Sequence, residues 1–338
     1  MQAIYAGVDV SKNKFDVSVI KGNRDFVDHI SFKNNLTGFK QLRKYLLKNF
    51  KDHSIYIAME STGSYSQGLS EFSYQNGYHT YVLNPVGIKN FAKGMLCHAK
   101  TDKLDSGVIS EFLIFNHKKL ITFQPLSESQ SALKACTNRR TDIMVQRLRE
   151  KNRVEALQSQ NPFVLKSLKR SIKFLEKELK EIENEMKRIV ENDSIMKEQK
   201  ERLSEIKGIG DISIYTALSM IPELGMIRRK QIAALVGVAP YVNESGNMTK
   251  KGHIKKGRQK VKSVLHMAAS VAIRHNKKLE KFYEKLKESG KPYKVAITAV
   301  MRKLLIAMNG IMRTYFREKL GVSKNQPLDP KLCLTLRQ

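Results

Sequence analysis

The chain has 338 residues, 41% of them hydrophobic, which is enough for two or three folded domains and excludes a wholly disordered protein. Lysine and arginine outnumber aspartate and glutamate by 61 to 32, and the formal charge of +29 favours nucleic acid as a partner. Its three cysteines are scattered, which argues against disulfides and a zinc finger. The chain has no signal-peptide pattern and no apolar run of about 18 residues, which argues against secretion and a membrane segment. We therefore expect a reduced, soluble, cytoplasmic protein.

Residues 1–125 have the pattern of an α/β domain. Short apolar or alternating segments predict five strands, and the turns between the first three are tight enough to require an antiparallel meander. The predicted strands are Ile4–Val10, Lys14–Ile20, Phe26–Phe32, Ser54–Met59 and Tyr78–Leu83, and helices are predicted after a cap at Thr37, from Tyr65 to Asn76 and from Thr101 to Asn116. The order β-β-β-α-β-α-β-α is that of the RNase H-like fold, a mixed sheet flanked by helices.

Residues 126–200 are predicted to be helical. After a linker at Gln124-Pro125, a polar helix runs to about Ser159, and eight apolar residues then follow at alternating spacings of three and four. This heptad seam consists of Leu165, Leu168, Ile172, Leu175, Leu179, Ile182, Met186 and Ile189. Such a seam indicates a coiled-coil segment, which pairs either with the preceding helix as a hairpin or with another subunit; an ordinary amphipathic helix is the simpler alternative.

Residues 201–320 are predicted to form a third, mainly α-helical domain, and residues 321–338 a loosely held tail. The sequence Ile-Lys-Gly-Ile-Gly at 206–210 lies between two helical patterns. It resembles a helix-hairpin-helix element, whose glycine-rich turn points backbone N–H groups at a phosphate, although a plain helix–helix turn has the same pattern. We expect a loop from Tyr241 to Gly257, then helices from Val261 to His275 and from Tyr293 to Tyr315.

Four carboxylates in the first domain are candidates for catalysis. Asp9 lies inside an apolar strand and Glu60 ends the fourth strand, and these two strands are neighbours in the expected sheet. Asp102 and Asp105 are three residues apart and so share one face of a helix beside the first strand. Singly, Asp102 could be a helix-start charge, Asp105 a solvated helix residue and Glu60 the start of a loop. Jointly, they predict a site for Mg²⁺ or Mn²⁺, which in pairs promote phosphodiester cleavage.

The motifs that contain these residues resemble the DEDD transposases of the IS110 insertion-sequence family, to which Piv-type DNA invertases are related. They are Gly7-Val8-Asp9-Val10-Ser11-Lys12, Met59-Glu60-Ser61-Thr62-Gly63 and Lys100-Thr101-Asp102-Lys103-Leu104-Asp105. In the second half, Leu235–Pro240, Glu244-Ser245-Gly246 and Lys251–Ile254 resemble the family's C-terminal transposase domain. The family often has Gly-Asn followed by an arginine where this chain has Gly257-Arg258 and then Lys262.

The resemblance implies a RuvC-like domain of RNase H fold, a coiled coil, and a C-terminal domain with a nucleophilic serine. It assigns Asp9, Glu60, Asp102 and Asp105 to the metal ligands and Ser245 to the nucleophile. It also implies recombination of donor and target DNA guided by a structured bridge RNA that pairs with both. The active form would be a homo-oligomer, a dimer or tetramer, in which the acidic site of one subunit works with the serine of another.

A basic segment follows Ser245. Between Gly246 and Leu279 there are ten lysines or arginines and no acidic residue. We expect this segment to bind nucleic acid through Lys250, Lys251, Lys255, Lys256, Arg258, Lys260 and Lys262. By pattern alone Ser245 is an ordinary turn serine, but its position beside so much positive charge would let it meet a scissile phosphate.

Two other functions fit the sequence. A RuvC-like, Mg²⁺-dependent nuclease or junction resolvase would use the same carboxylates to activate water, and Ser245 would be incidental. An architectural nucleic-acid binder with a vestigial acidic site would keep all its activity when Mg²⁺ is chelated. A covalent protein–DNA adduct distinguishes the recombinase from the nuclease.

Overall fold

The structure, a computed structural model, describes residues 3–63, 65–95, 101–157, 161–245, 248–254, 257–323, 326 and 328–336. It divides into two compact units, Met1–Pro125 and Leu126–Gln338. The finer division of the second unit into residues 126–200, 201–320 and 321–338 stays a prediction.

The first unit is built on a five-stranded mixed sheet. Its strands are β1 (Ala3–Val10), β2 (Lys14–Lys21), β3 (Phe26–Lys33), β4 (Ser54–Glu60) and β5 (His79–Leu83). They lie in the order β3-β2-β1-β4-β5, with β1, β2 and β3 antiparallel in sequence and with β4 and β5 parallel to β1. This arrangement is consistent with the RNase H-like fold that the element order predicts.

Helices cover both faces of this sheet. They are α1 (Leu36–Phe50), α2 (Gln67–Gln75), α3 (Pro85–Gly94) and α4 (Asp102–Asn116). Alternate residues of β1, β2 and β4 pack with α1 and α2, and the intervening residues pack with α3 and α4. The predicted cap at Thr37 is wrong, because Asn35 caps α1 by accepting a 3.0 Å bond from the N–H of Gly38. α3 was not predicted; Asn84 caps it and Pro85 begins it.

The second unit is mainly helical. Its helices are α5 (Glu128–Leu157), α6 (Pro162–Asn192), α7 (Ser194–Ser204), α8 (Asp211–Met220), α9 (Arg229–Val236), α10 (Gln259–His275), α11 (Lys277–Glu288), α12 (Tyr293–Leu320) and α13 (Pro330–Thr335). Their apolar faces form one core, to which α12 contributes most. By length and composition α12 could cross a membrane, but half of its most apolar stretch is buried inside this unit, as in a core helix of a soluble fold.

The heptad seam of α6 packs on α5 of the same chain. Leu175 and Met186 are buried, and the other seam residues are half-buried. The described structure therefore contains the hairpin, one of the two arrangements that the sequence left open. Outside the seam, Phe163 and Phe174 of α6 remain 75% and 61% exposed. A coiled coil between subunits stays a prediction.

Two expectations for the second unit are wrong. The predicted loop from Tyr241 to Gly257 contains a two-stranded antiparallel hairpin, β6 (Pro240–Ser245) and β7 (Met248–Ile254). The tail is not uniformly loose, because α13 lies within it and Cys333 of that helix is fully buried in the core.

Candidate active site

The end of the central strand β1 lies beside the end of β4. Val8 pairs with Met59 in parallel register, so Asp9 and Glu60, the residues that follow, occupy matching positions at the same end of the sheet. Alternation along each strand turns both residues to the face that α4 covers, which is also the face of Gly7. The two strand carboxylates thus share one face and one end of the sheet.

The first turn of α4 lies at the same end. The hydroxyl of Thr101 caps the helix by accepting a 3.2 Å bond from the N–H of Leu104. Asp102 and Asp105 both fall in this first turn, where the helix dipole favours negative charge. All four carboxylates of the predicted site therefore lie around one end of one sheet face.

Gly7 fixes α4 against β1. Its N–H donates a 2.8 Å bond to the hydroxyl of Ser110, and the neighbouring pair Ser18 and Ser106 are 2.8 Å apart through their hydroxyls. A Cβ at position 7 would lie 2.3 Å from the carbonyl oxygen of Ser106, which no side chain can tolerate. The helix consequently packs directly on the strand backbone, one turn from its own acidic start.

A fifth carboxylate belongs to this region. Asp16 of β2 lies opposite Asp9 in the antiparallel register and is only 4% exposed. The ammonium of Lys14 lies 3.1 Å from Asp16 Oδ2 and 2.6 Å from Asp102 Oδ2, and His29 Nε2 lies 4.0 Å from Asp16 Oδ1. The bond to Asp102, and then that to Asp16, raises the pKa of Lys14. Asp16 was missed from the sequence, although the predicted meander alone places it beside Asp9.

The donor chemistry of this region fits a hard divalent cation, because its oxygen ligands are carboxylates at one end of a sheet. The side chains are not gathered around one point, however: within the described residues no three His, Cys, Asp or Glu are arranged to hold a metal ion. Carboxylates repel one another without a counter-ion, and Lys14 already bonds to Asp102. The residues fit a metal by type and placement, and the positive charge of Lys14 on Oδ2 of Asp102 would oppose a second cation at that carboxylate.

Ser245 lies in the second unit. It is the last residue of β6 and pairs with Met248 of β7, so its backbone is at the turn end of the hairpin. Lys250 and Lys251 belong to β7. Lys255 and Lys256 lie outside the described residues.

Two of the three basic residues at the start of α10 already have partners within the chain. Arg258 makes a bidentate ion pair with Glu223, with both N–O distances 2.6 Å. The ammonium of Lys260 donates a 2.5 Å bond to the side-chain oxygen of Asn138, and Lys262 is half-buried. A contact between Arg258 and a phosphate would have to displace a paired carboxylate, so its predicted role in nucleic-acid binding is the least supported of the set.

The glycine turn between α7 and α8 has a packing explanation. Gly208 has a φ of +99°, and a Cβ there would lie 2.5 Å from the Cα of Ala272 in α10. Both observations require glycine whether or not a phosphate binds. A helix-hairpin-helix element at this turn stays a prediction.

Comparison with known proteins gives matches to both halves of the chain. Residues 6–161 match a family model for the DEDD transposase domain of IS110 elements, and residues 200–284 match a model described as Transposase IS116/IS110/IS902 family. The chain is also 25% identical to the pilin gene-inverting proteins of Moraxella bovis and Moraxella lacunata, in each case over 337 residues that cover 98% of this chain and 99% of the relative.

Proposed function

This chain belongs to the IS110 family of DNA transposases and recombinases, and we propose that it cuts and rejoins DNA with Ser245 as the nucleophile and a divalent-metal site in its first unit. The ligands of that site are Asp9, Glu60, Asp102 and Asp105. The observation that carries the proposal is the common location of these four carboxylates at the end of β1 and β4 and in the first turn of α4.

The acidic residues would bind and orient the metal against the scissile phosphate. When bound, Mg²⁺ or Mn²⁺ supplies Lewis-acid stabilisation of the charge that develops there. Lys14 is paired with Asp102 and with the buried Asp16, so its ammonium lies beside the residues that would hold the metal. From this position its positive charge would also attract phosphate oxygens of the substrate.

The chemical steps form and break one phosphorus–oxygen bond each. The Oγ of Ser245 attacks the phosphorus, the bond from phosphorus to a deoxyribose oxygen breaks, and that oxygen takes up a proton while the serine proton passes to solvent. A deoxyribose hydroxyl of another strand then attacks the phosphoserine and regenerates the serine. The phosphodiester energy is conserved, which agrees with the absence of a P-loop sequence from the chain.

The partners we propose are donor and target DNA and a structured bridge RNA that pairs with both. The formal charge of +29 supports polyanion binding, and the basic segment after Ser245 would contribute phosphate contacts. The active form would be a homo-oligomer in which the serine of one subunit works with the acidic site of another.

A hydrolytic nuclease is the second candidate. The observation that favours it is that all four carboxylates lie in the first unit and Ser245 in the second, so the acidic site could activate water without the serine. The products distinguish the two, because hydrolysis leaves free ends and the serine mechanism leaves a covalent adduct.

A nicked DNA substrate that prevents rejoining tests the proposal. Wild type should accumulate a denaturation-resistant protein–DNA adduct, and Ser245→Ala should bind the DNA yet form neither adduct nor cut strand. Ser263→Ala is the matched control, since this exposed serine of α10 bonds only to its own helix, at Gln259. Cutting by Ser245→Ala at the wild-type rate, with free ends, would establish the nuclease instead.

A further inference from the structure

Four arginines of the second unit come together where α9 begins beside α12. Arg228 and Arg229 stand at the start of α9, and Arg313 and Arg317 are one turn apart on α12. Burial, followed by the charges of the other three arginines, lowers the pKa of the Arg313 guanidinium. The positive charges of the other three arginines therefore all act on Arg313, which lies between the start of α9 and the rest of α12.

Arg313 fixes the backbone of the loop that precedes α9. Its Nε donates a 3.3 Å bond to the carbonyl oxygen of Gly225, and its terminal nitrogen donates to the carbonyl oxygen of Ile227. Asn309, one turn earlier on α12, bonds to the N–H of Gly225 at 2.8 Å and to the same Ile227 carbonyl at 3.0 Å. The backbone that leads into Arg228 is thus fixed against α12, so the cluster is part of the folded unit.

Carboxylates near the cluster are already engaged elsewhere. Glu223, in the loop before α9, is paired with Arg258. Glu318, next to Arg317, is 2.8 Å from Arg202. The Nε of Arg317 is buried and has no hydrogen-bond partner among the described residues. Glu223 and Glu318 are therefore paired with cations outside the cluster, and neither of these ion pairs neutralises its four arginines.

The start of α9 opposes the helix dipole. Helix N-termini favour acidic side chains, yet the first turn of α9 contains none and the local sequence is Arg228-Arg229-Lys230. Arg313 and Arg317 add a like-charge pair four residues apart on the neighbouring helix. Both of these interactions are unfavourable because of excess positive charge, and a bound anion would reduce the repulsion in each.

We propose that the four arginines and the start of α9 bind a backbone phosphate of nucleic acid. This inference rests on the proposed function, which makes nucleic acid the substrate, and it adds a contact surface outside the basic segment that follows Ser245. The planar guanidinium group suits this ligand because it can donate two parallel hydrogen bonds to phosphate oxygens. Arg228 and Arg229 are exposed and can reach a long polymer, whereas Arg313 and Arg317 would supply charge from behind.

The test compares the double variant Arg228→Gln/Arg229→Gln with wild type in binding to a non-specific DNA duplex across a range of salt. If these arginines neutralise one or two phosphates, the variant should flatten the slope of log affinity against log salt by about one to two units. Lys40→Gln/Lys44→Gln, which removes the same charge from the exposed side of α1, is the matched control and should leave the slope near wild type. Arg313 is left intact because it anchors the loop.

A second measurement separates nucleic-acid phosphate from free phosphate. The melting temperature of each protein is compared in inorganic phosphate and in chloride at equal ionic strength. A flatter slope in the arginine variant alone supports the proposal, with or without stabilisation by free phosphate. An unchanged slope overturns it, and stabilisation of wild type alone by inorganic phosphate would then identify a free-anion site. Neither measurement requires strand cutting, so failure of the serine mechanism would leave this result standing.

Discussion

The ammonium of Lys14 donates a 2.6 Å hydrogen bond to the carboxylate of Asp102. A proposed metal ligand is therefore bonded to a cation of the protein itself, and the positive charge of that cation disfavours a metal ion at the same carboxylate. Lys14→Met should lower the Mg²⁺ concentration needed for half-maximal cleavage, by about three- to tenfold, because Asp102 loses its competitor.

Titration of cleavage against Mg²⁺ checks this expectation. Lys12→Met is the matched control, since this exposed lysine lies in the turn just before β2. A rise in the Mg²⁺ requirement of the Lys14 variant would mean instead that the lysine supports the site or binds the substrate.

The four carboxylates should be needed for cutting and dispensable for binding. Asp9→Asn, Glu60→Gln, Asp102→Asn or Asp105→Asn removes a ligand charge with little change of shape, so each should abolish strand cleavage while affinity for DNA changes little. Gel assays of cutting and binding on the same substrate measure both effects. Asp52→Asn, at an exposed turn of the same unit, should retain full activity. Normal cutting by the Asp9 or Glu60 variant would remove the metal-site hypothesis.

Arg258 should matter more for stability than for nucleic-acid binding. Its bidentate pair with Glu223 is about one-third exposed, so Arg258→Gln should cost about 1–2 kcal/mol of unfolding free energy. Denaturant unfolding of both single variants and of the double variant with Glu223→Gln measures the coupling.

The lysines of the basic segment should show the opposite behaviour. Changing Lys250, Lys251, Lys255 and Lys256 together to Gln should flatten the salt slope by about 0.9 unit for each phosphate that is no longer neutralised, with little change in stability. A flatter slope in Arg258→Gln alone would restore that arginine to the nucleic-acid surface.

Variants of two adjacent residues of α6 test the intramolecular hairpin and the multimer independently. Leu175 is 9% exposed and belongs to the seam that packs on α5, whereas Phe174 is 61% exposed. Leu175→Asp buries an unpaired charge and should cost about 3 kcal/mol or more, seen as a lower melting temperature. Phe174→Asp should keep the melting temperature but reduce the sedimentation coefficient if the multimer uses this face. A multimer that survives Phe174→Asp must assemble elsewhere.

The sequence predicted the sheet of the first unit because its strands alternate and its turns are short. The same reasoning located Asp9 and Glu60, since two neighbouring strands that end in a carboxylate must present both at one edge. It failed after the fifth strand, where no helix was predicted, because an Asn-Pro pair can end a strand as well as begin a helix; here Asn84 caps α3 and Pro85 begins it. The residue types that end a strand are also those that cap and begin a helix, and only the packing of α3 on α4 distinguishes the two cases.

Tertiary contacts also explain the other differences. Asp16 was not considered because the polar face of β2 was not assigned to a helix, yet α4 covers it. The strands β6 and β7 contain Pro240, Asn243 and Gly252, residue types that are depleted in strands, and backbone pairing rather than side-chain pattern defines this hairpin. Glu223, the partner of Arg258, is 35 residues away in the chain, and Asp102, which accepts from Lys14, is 88 residues away, so no local pattern could reveal either pair.

The contact between Gly7 and α4 has a consequence for how this site could be lost. Because the helix rests on bare backbone, the gap between Asp9 and the aspartates of α4 is set by a spacer that has no side chain to adjust. A single added methyl group would act as a wedge and push the start of α4 away from the strand. A substitution of Gly7 could then abolish catalysis while every carboxylate stays in the sequence. The presence of the acidic residues is therefore not sufficient to conclude that a related chain is active.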